Sequence, residues 1–467
     1  MNLRIAEIDW KKVRSLTSLS FTKAARFPLE CGCILLVARN DNPTASSLVV
    51  AGVLSPREGD LPEQAAGGLT FGSPFLRRAL LAVRERGLKG LVTVHTHPRS
   101  TRTVSFSPYD DEQDPQLMAN LYELEPSGVF GSFVLGKTSA CARIWHRGVP
   151  NYLSALVCVG ERLSFLNLDG ISAEEPIGPE AIFDRSSVVT GRGALYRLSR
   201  CRVAVVGAGG TGSIMVELLM RAGVGEMVIF DFDYADETNL NRVLHLTKRD
   251  VQSAANKGEC LKRAIGETGM PTKVTVVPGG DIRDPSVACE LSGCDMLIGC
   301  VDQDWPRLIM SEVAYSYIIS YVDLGSEIGA ASGEVQSLDS RVSYSAPGRP
   351  CLLCSGFISQ ERLRLEGHGA AERDRIVAMG YSNDLPLNAP AVMDLNMRAA
   401  SLGMLVIRHL LQPFLATPLP HAIKETVTCF STKALHYARR PHCLICGEAG
   451  RTGTGGRFAL TTRRLVP

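Results

Sequence analysis

Between residues 202 and 219 the chain passes from the strand-like Arg202-Val203-Ala204-Val205-Val206, through Gly207-Ala208-Gly209-Gly210-Thr211-Gly212-Ser213, into the apolar stretch Ile214-Met215-Val216-Glu217-Leu218-Leu219. This succession constrains the fold more than any other feature. A buried strand that turns through glycines directly into a helix opens a βαβ unit, and the backbone amides at the start of such a helix favour phosphate. The next strand, Met227-Val228-Ile229-Phe230, ends at Asp231, at the spacing of an acid that holds a ribose. That spacing alone also admits a dinucleotide and a dehydrogenase-type domain. Strands alternate with helical patterns, including Pro306 to Tyr315, which predicts an α/β domain with a mostly parallel sheet.

Further residues follow in a recognisable order: Asp231-Phe232-Asp233, Glu237-Thr238-Asn239-Leu240-Asn241-Arg242, Asn256-Lys257, and Ile298-Gly299-Cys300-Val301-Asp302. The run resembles the ThiF/MoeB superfamily, which includes the adenylation domains of ubiquitin-activating enzymes. The resemblance implies a Rossmann-like domain that adenylates a carboxylate with ATP. Gly207, Gly209, Gly210 and Gly212 would line the nucleotide, Asp231 would hold the ribose, and Arg242 and Lys257 the phosphates, with Asn239 beside them. Asp302 would accompany magnesium, with Arg307 following at the family's usual distance. Such chemistry needs cations, because a carboxylate attacking the α-phosphate meets like charge. Phe183-Asp184-Arg185 and Gly191 match the family segment whose arginine reaches into the partner subunit's site, so Arg185 implies a homodimer. Val243 departs from the pattern, which usually has glutamine there.

The cysteines extend the likeness. Cys351-Leu352-Leu353-Cys354 and Cys443-Leu444-Ile445-Cys446 form a split C-x-x-C pair, the first preceded by Pro347-Gly348-Arg349-Pro350 as in this family. One C-x-x-C reads as a redox pair or an accident, whereas two read as a closed structural zinc site of four thiolates. The other ten cysteines, such as Cys158, Cys201 and Cys300, lie mostly in apolar strands and are expected to be small buried hydrophobes. Family members that pass the acyl group to a thiol carry a cysteine on a loop after the nucleotide site. Ser355 to His421 contains none. Cys429 is the nearest substitute, but in Thr426-Val427-Thr428-Cys429-Phe430 it reads as a strand-core residue. The adenylate would then pass to an external nucleophile, such as a sulfur donor or a conjugating enzyme.

A second signature lies upstream. Leu91-Val92-Thr93-Val94 is a strand pattern leading into His95-Thr96-His97-Pro98, and residues two apart on a strand project to one face. Ser107-Pro108-Tyr109-Asp110 reads as a helix start with serine at the cap and proline in the first turn, so Asp110 supplies a third ligand. Three protein ligands and an open position make the catalytic arrangement of zinc. These residues resemble the JAMM (JAB/MPN) metallopeptidases, which also carry a glutamate about sixty residues upstream. Glu30, ahead of the apolar Cys31-Gly32-Cys33-Ile34-Leu35-Leu36-Val37, matches it. By that resemblance Glu30 takes the proton from the attacking water, and Ser107 donates to the tetrahedral intermediate. The loop from Pro98 to Ser107 is about two residues longer than the family pattern. Ser105 fits the usual count, but it would put the ligand on Pro108, which cannot bind zinc.

The length and 45% apolar content suit a soluble protein of two or three domains. Expected bounds are 1–168 for the metallopeptidase domain, an α+β unit closed by Arg143-Ile144-Trp145 and Ala155-Leu156-Val157-Cys158-Val159, then a turn-rich linker over 169–181, then 182–467 for the adenylating domain. Gly450 to Gly456 has too many glycines to hold structure unaided. A net charge of +2 gives no reason to invoke nucleic acid, and Arg463-Arg464 reads as a solvated tail. Leu402 to Leu415, the longest apolar stretch, is broken by Arg408 and His409, so no membrane span is expected. Reduced cysteines and a start without a signal core point to the cytoplasm. The fusion resembles the joined JAB and ThiF proteins of bacterial ubiquitin-like systems. Its implied partner is the carboxyl-terminal tail of a ubiquitin-like protein, trimmed or released by the first domain and activated by the second. A sulfur-carrier protein, and a binding scaffold without turnover, remain the alternatives.

Overall fold

The computed structural model describes residues 1–21, 28–65, 67–171, 181–331, 334–368, 375 and 391–462. Most of the expected linker and the Arg463-Arg464 pair lie outside the described residues. Two compact units divide the chain. The first is Met1–Pro176 with Ser316–Ile318 and Arg451–Ala459; the second is Ile177–Tyr315 with Ile319–Gly450 and Leu460–Pro467.

The first unit is built on β1 (Asn2–Ala6), β2 (Gly32–Asn40), β3 (Ser47–Leu54), a small separate hairpin of β4 (Glu63–Ala65) and β5 (Gly68–Thr70), β6 (Gly90–Thr96), β7 (Val129–Leu135), β8 (Ala140–His146), β9 (Val149–Tyr152), β10 (Ala155–Val159) and β11 (Leu163–Asn167). Its main sheet has nine strands in the order β11-β10-β1-β3-β2-β6-β7-β8-β9. Helices α1 (Glu7–Thr17), α2 (Ser73–Glu85) and α3 (Pro108–Leu124) accompany it. The central strand β6 is buried along its whole length, as continuous β-branched runs in interior strands are. Val92 and Val94 are fully buried, which stabilises the strand by about 1.5–3 kcal/mol per side chain and holds its end in place. Antiparallel pairing sets Gly32 of β2 opposite His95 of β6. The glycine-rich segment near the carboxyl terminus is ordered here by tight packing. A Cβ at Gly453 would meet the Val50 carbonyl at 2.5 Å, and one at Gly455 the Arg39 carbonyl at 2.9 Å.

In the second unit α4 (Asp184–Thr190) and α5 (Arg192–Ser199) lead into β12 (Arg202–Val206), α6 (Gly210–Ala222), β13 (Glu226–Phe230), α7 (Lys248–Gln252), α8 (Lys257–Thr268), β14 (Lys273–Val276), α9 (Pro285–Ala288), β15 (Met296–Gly299) and α10 (Asp304–Tyr317). Then come β16 (Ser320–Ala331), β17 (Glu334–Ser345), α11 (Gln360–Glu366), α12 (Met393–Leu411), β18 (Ala422–Thr426) and β19 (Ser431–Leu435). The sheet order is β14-β13-β12-β15-β16-β17-β18-β19. The first five strands are parallel and the last three run as antiparallel hairpins. Because β12 has β13 on one side and β15 on the other, the crevice at the carboxyl ends of β12 and β15 is where an α/β sheet binds ligands.

That crevice depends on two glycines. Gly207 has φ +93°, and a Cβ at Gly212 would stand 1.8 Å from the Gly207 carbonyl oxygen. Gly212→Ala is expected to force the turn apart and to cost about 1–3 kcal/mol of stability. Urea unfolding of the full chain checks this, and an unchanged midpoint would mean that the turn moves without cost.

Candidate functional sites

In the first unit, local hydrogen bonding brings distant segments together. The Thr96 amide donates to the Cys31 carbonyl at 3.1 Å, and the Cys31 amide donates to Thr96 Oγ1 at 2.9 Å. The Ser20 hydroxyl lies 2.7 Å from Thr96 Oγ1 and donates to the Leu29 carbonyl. These bonds pin the loop carrying Glu30 beside the histidine strand. From the other side, the Glu30 amide donates to the Ala65 carbonyl of β4. Ligand atoms of Glu30, His95 and His97 lie within 4.8 Å of one another.

Asp110 arrives from α3. Ser107 is the N-cap; its hydroxyl accepts from the Asp110 amide, while Asp110 Oδ2 accepts from the Ser107 amide at 2.6 Å and the Ser107 hydroxyl at 2.8 Å. The same carboxylate stands 3.1 Å from His95 Nε2 and 3.2 Å from His97 Nε2, and the two Nε2 atoms are 3.3 Å apart. A zinc ion at about 2.0–2.1 Å from three corners of a tetrahedron requires ligand atoms about 3.3 Å apart, so the donor set fits zinc. Burial pushes the Asp110 carboxyl up, but hydrogen bonds from His95 and His97 outweigh it and hold the group well below the usual carboxylate range. Burial raises Glu30, against the opposing pull of both histidines. An open cavity of about 640 Å³ lies between the β4–β5 hairpin and Tyr109.

In the second unit the nucleotide-side residues gather around the glycine turn. Asp231, directly after β13, is buried; its Oδ2 accepts from the Ala208 amide and its Oδ1 from the Asp233 amide at 2.8 Å. Asn256 caps α8 and donates to the Asp231 and Asp233 carbonyls, which places Lys257 with its Nζ 3.0 Å from Asp233 Oδ2. Asn239 is buried, and its Oδ1 has no hydrogen-bond partner among the described residues. Arg242 bonds the Thr238 carbonyl and Asn241, and its Cδ lies beside Gly210. The space in front of Gly209 is open. Asp302 is exposed just beyond β15, and its carboxylate has no partner among the described residues. Open space at the turn, a lysine and an arginine suit the phosphates of a nucleoside triphosphate.

Among the remaining positions, the cysteines differ from expectation. Arg307 turns inward, bonding Asp304 at 3.1 Å, Asp323 at 3.3 Å and the Val301 carbonyl at 2.9 Å. Arg185 is exposed on α4, and no contact links it to the glycine turn among the described residues. Cys429 is exposed at the end of the 3₁₀ turn Val427–Cys429 between β18 and β19 and does not lie in a strand core. The turn follows because Phe430 takes φ +48° and the chain must reverse within a few residues. Cys289 is exposed as well, and Cys300 is half-buried, so the remaining thiols are not uniformly core residues.

The sequence did not disclose Asn396 of α12. Its Oδ1 accepts from Thr211 and Ser326 hydroxyls, and its Nδ2 would lie 2.4 Å from a Cβ at Gly210. A single buried asparagine in an apolar helix was the available signal. Asp304 and Glu366 were also missed: Glu366 of α11 accepts from the Asp304 and Trp305 amides and so caps α10.

The four cysteines meet in one buried cluster. Cys351 Sγ lies 3.6 Å from Cys443 Sγ, and Cys354 Sγ 3.4 Å from Cys446 Sγ. A disulfide needs about 2.05 Å, whereas four thiolates at about 2.3 Å from a tetrahedral zinc stand about 3.8 Å apart. The spacing fits the metal. Hydrogen bonding from Cys351 holds the Cys446 thiol below its ordinary range.

Comparison with known proteins agrees with this architecture. Residues 183–436 match the ThiF family model, and residues 14–147 match prokaryotic homologs of the JAB domain, giving an N-terminal JAB domain fused to a C-terminal ThiF domain. The chain belongs to the ThiF family. It is similar to ubiquitin-like modifier-activating enzyme 5 of Oryza sativa subsp. japonica, at 26% identity over 38% of this chain and 44% of that protein. The same-named protein of Branchiostoma floridae is 27% identical over 38% and 45%. The chain thus spans less than half the length of these curated relatives. Among solved structures, E. coli MccB with ATP covers 58% of this chain and 75% of its own, at 20% identity and a TM-score of 0.45.

Cys443→Ser is expected to remove one equivalent of zinc from the purified chain and to lower its thermal midpoint. Cys429→Ser should leave both unchanged, and metal analysis with calorimetry on the two variants checks the difference.

Proposed function

We propose that this chain is a two-site enzyme of a bacterial ubiquitin-like pathway, a zinc-dependent peptidase joined to an ATP-dependent activator of the same carboxyl-terminal tail. What most supports the reading is that the JAB unit keeps Glu30, His95, His97, Ser107 and Asp110 together, in a chain whose other unit is a ThiF domain. Its ThiF relatives are named for activating a ubiquitin-like modifier, which supplies the substrate class.

His95, His97 and Asp110 would hold zinc, which when bound supplies a Lewis acid and hydroxide near neutral pH. Glu30, raised by burial and close to both histidines, takes the proton from the attacking water and returns it to the leaving amine. The Ser107 hydroxyl, on turning its proton away from Asp110 Oδ2, donates to the oxygen that becomes negative. Cleavage leaves a free terminal carboxylate. In the second unit this carboxylate attacks the α-phosphate of the substrate ATP and pyrophosphate leaves. Lys257 and Arg242 neutralise the phosphates, Asp231 orients the ribose, and Asp302 would hold magnesium, which would supply further neutralising charge. Arg185 serves the site of a second copy, making the working form a homodimer. The adenylate passes to an external nucleophile without a stable thioester on this chain, whose cytoplasmic setting keeps its thiols reduced.

Lys257→Ala and Asp302→Ala are each expected to lower ATP–pyrophosphate exchange, measured with candidate ubiquitin-like proteins encoded beside this reading frame, by about 10²-fold or more. Peptide cleavage should persist in both; exchange near the parent rate would remove the assignment. Glu30→Gln should keep zinc and slow cleavage by about 10²–10⁴-fold, while His97→Ala should lose the metal too. Equal zinc content in these two variants contradicts the roles. Exposure of Cys429 makes it the thiol to watch. A reductant-sensitive adduct between chain and tail that vanishes in Cys429→Ala would replace direct transfer with a thioester route.

A further inference from the structure

We infer that Arg143 is the positioning residue of the JAB site: it locks the first two turns of α3 to the sheet so that Asp110 meets both histidines. The inference rests on the zinc reading above and adds a residue outside its ligand set.

Arg143 lies on β8 and is 2% exposed. Its guanidinium is spent on one place. Nη1 donates to Asp111 Oδ1 at 2.5 Å, Nε and Nη2 donate to Asp114 Oδ2 at 3.2 and 2.7 Å, and Nη2 also donates to the Asp110 carbonyl at 3.2 Å. All three acceptors belong to α3. The Ser132 hydroxyl of β7 donates to the same Asp114 oxygen at 2.6 Å, so two adjacent strands grip the helix through one carboxylate. The Phe106 ring, one residue before the cap, covers one face of the guanidinium at 3.7 Å, and the Arg143–Asp114 pair is buried, whereas Asp111 reaches solvent.

Asp110 cannot orient itself unaided. Its carboxylate is bound to Ser107 by the capping bonds, so its reach towards His95 and His97 is set by where the helix backbone starts. The planar fork of arginine fixes that start in position and in rotation, which a single ammonium cannot do. Groups that orient metal ligands from outside the coordination sphere typically carry about 10- to 100-fold in metal affinity.

The test measures zinc affinity of the full-length chain by chelator competition, with His97→Ala defining the part due to the four-cysteine site. Arg143→Met is expected to weaken the JAB-site zinc by about 10- to 100-fold, with the cysteine-site zinc unchanged and cleavage recovered at saturating zinc. Arg143→Lys should fall between Met and the parent. Parent-like affinity in Arg143→Met overturns this inference alone. Equal zinc binding by the parent and His97→Ala overturns the peptidase reading, and this inference with it. Arg143→Met leaves Asp114 buried and unpaired, so should that variant fail to fold, the double variant Arg143→Met/Asp114→Asn removes both charges together and carries the same expectation.

Discussion

A single carboxylate, that of Asp110, ties the first unit together. It completes the cap of α3 through Ser107 and in the same rotamer closes on His95 and His97. A carboxylate that faces two histidines and also completes a helix cap has little freedom, because moving the oxygen away from the histidines breaks the bonds that start the helix. The strand end it approaches is equally constrained, since β6 is buried throughout and paired on both sides. Glu30 is held from both sides, by its own amide's bond to the Ala65 carbonyl and by the bonds of its neighbour Cys31 to Thr96, the residue between the histidines.

The second unit solves a related problem with backbone alone. The close approach of Gly212 to Gly207 lets α6 begin directly above β12 and leaves amides facing open space. Around this turn, Asp231 is fixed by the amides of Ala208 and Asp233, and Asn396 reaches in from a helix far along the chain. Behind the crevice lies a buried network in which Asp304, Arg307, Asp323 and Arg341 alternate in sign. Paired in this way the charges avoid the cost of isolated burial, and they hold the ends of α10, β16 and β17 rigid.

Many of the site residues could be read in the chain because their chemistry is carried by short spacings. Two histidines separated by one residue after a β-branched run share a face, and a serine-proline start places an aspartate in the first helical turn; both follow from local geometry. The C-x-x-C pairs are legible for the same reason. Residues whose role comes from contact across the fold were not legible. Arg143 and Asn396 carry no local motif, and only the placement of α3 against β8 and of α12 against α6 and β16 gives them partners. Cys429 was misread because its neighbours are β-formers, whereas the reversal between β18 and β19 turns the segment out to solvent.

The sequence by itself determined the local pieces: strand, glycine turn and helix, the paired histidines, the aspartate in a capped first turn, and each C-x-x-C follow from geometry between near neighbours. Tertiary structure alone decided which thiols are exposed, that Arg307 is buried in a charge network, and that Arg451–Ala459 belongs with the first unit. The physical reason is range. Capping, alternation and ligand spacing act over a few residues and leave marks in the sequence, whereas burial and ion pairing depend on surfaces brought together from segments tens to hundreds of residues apart.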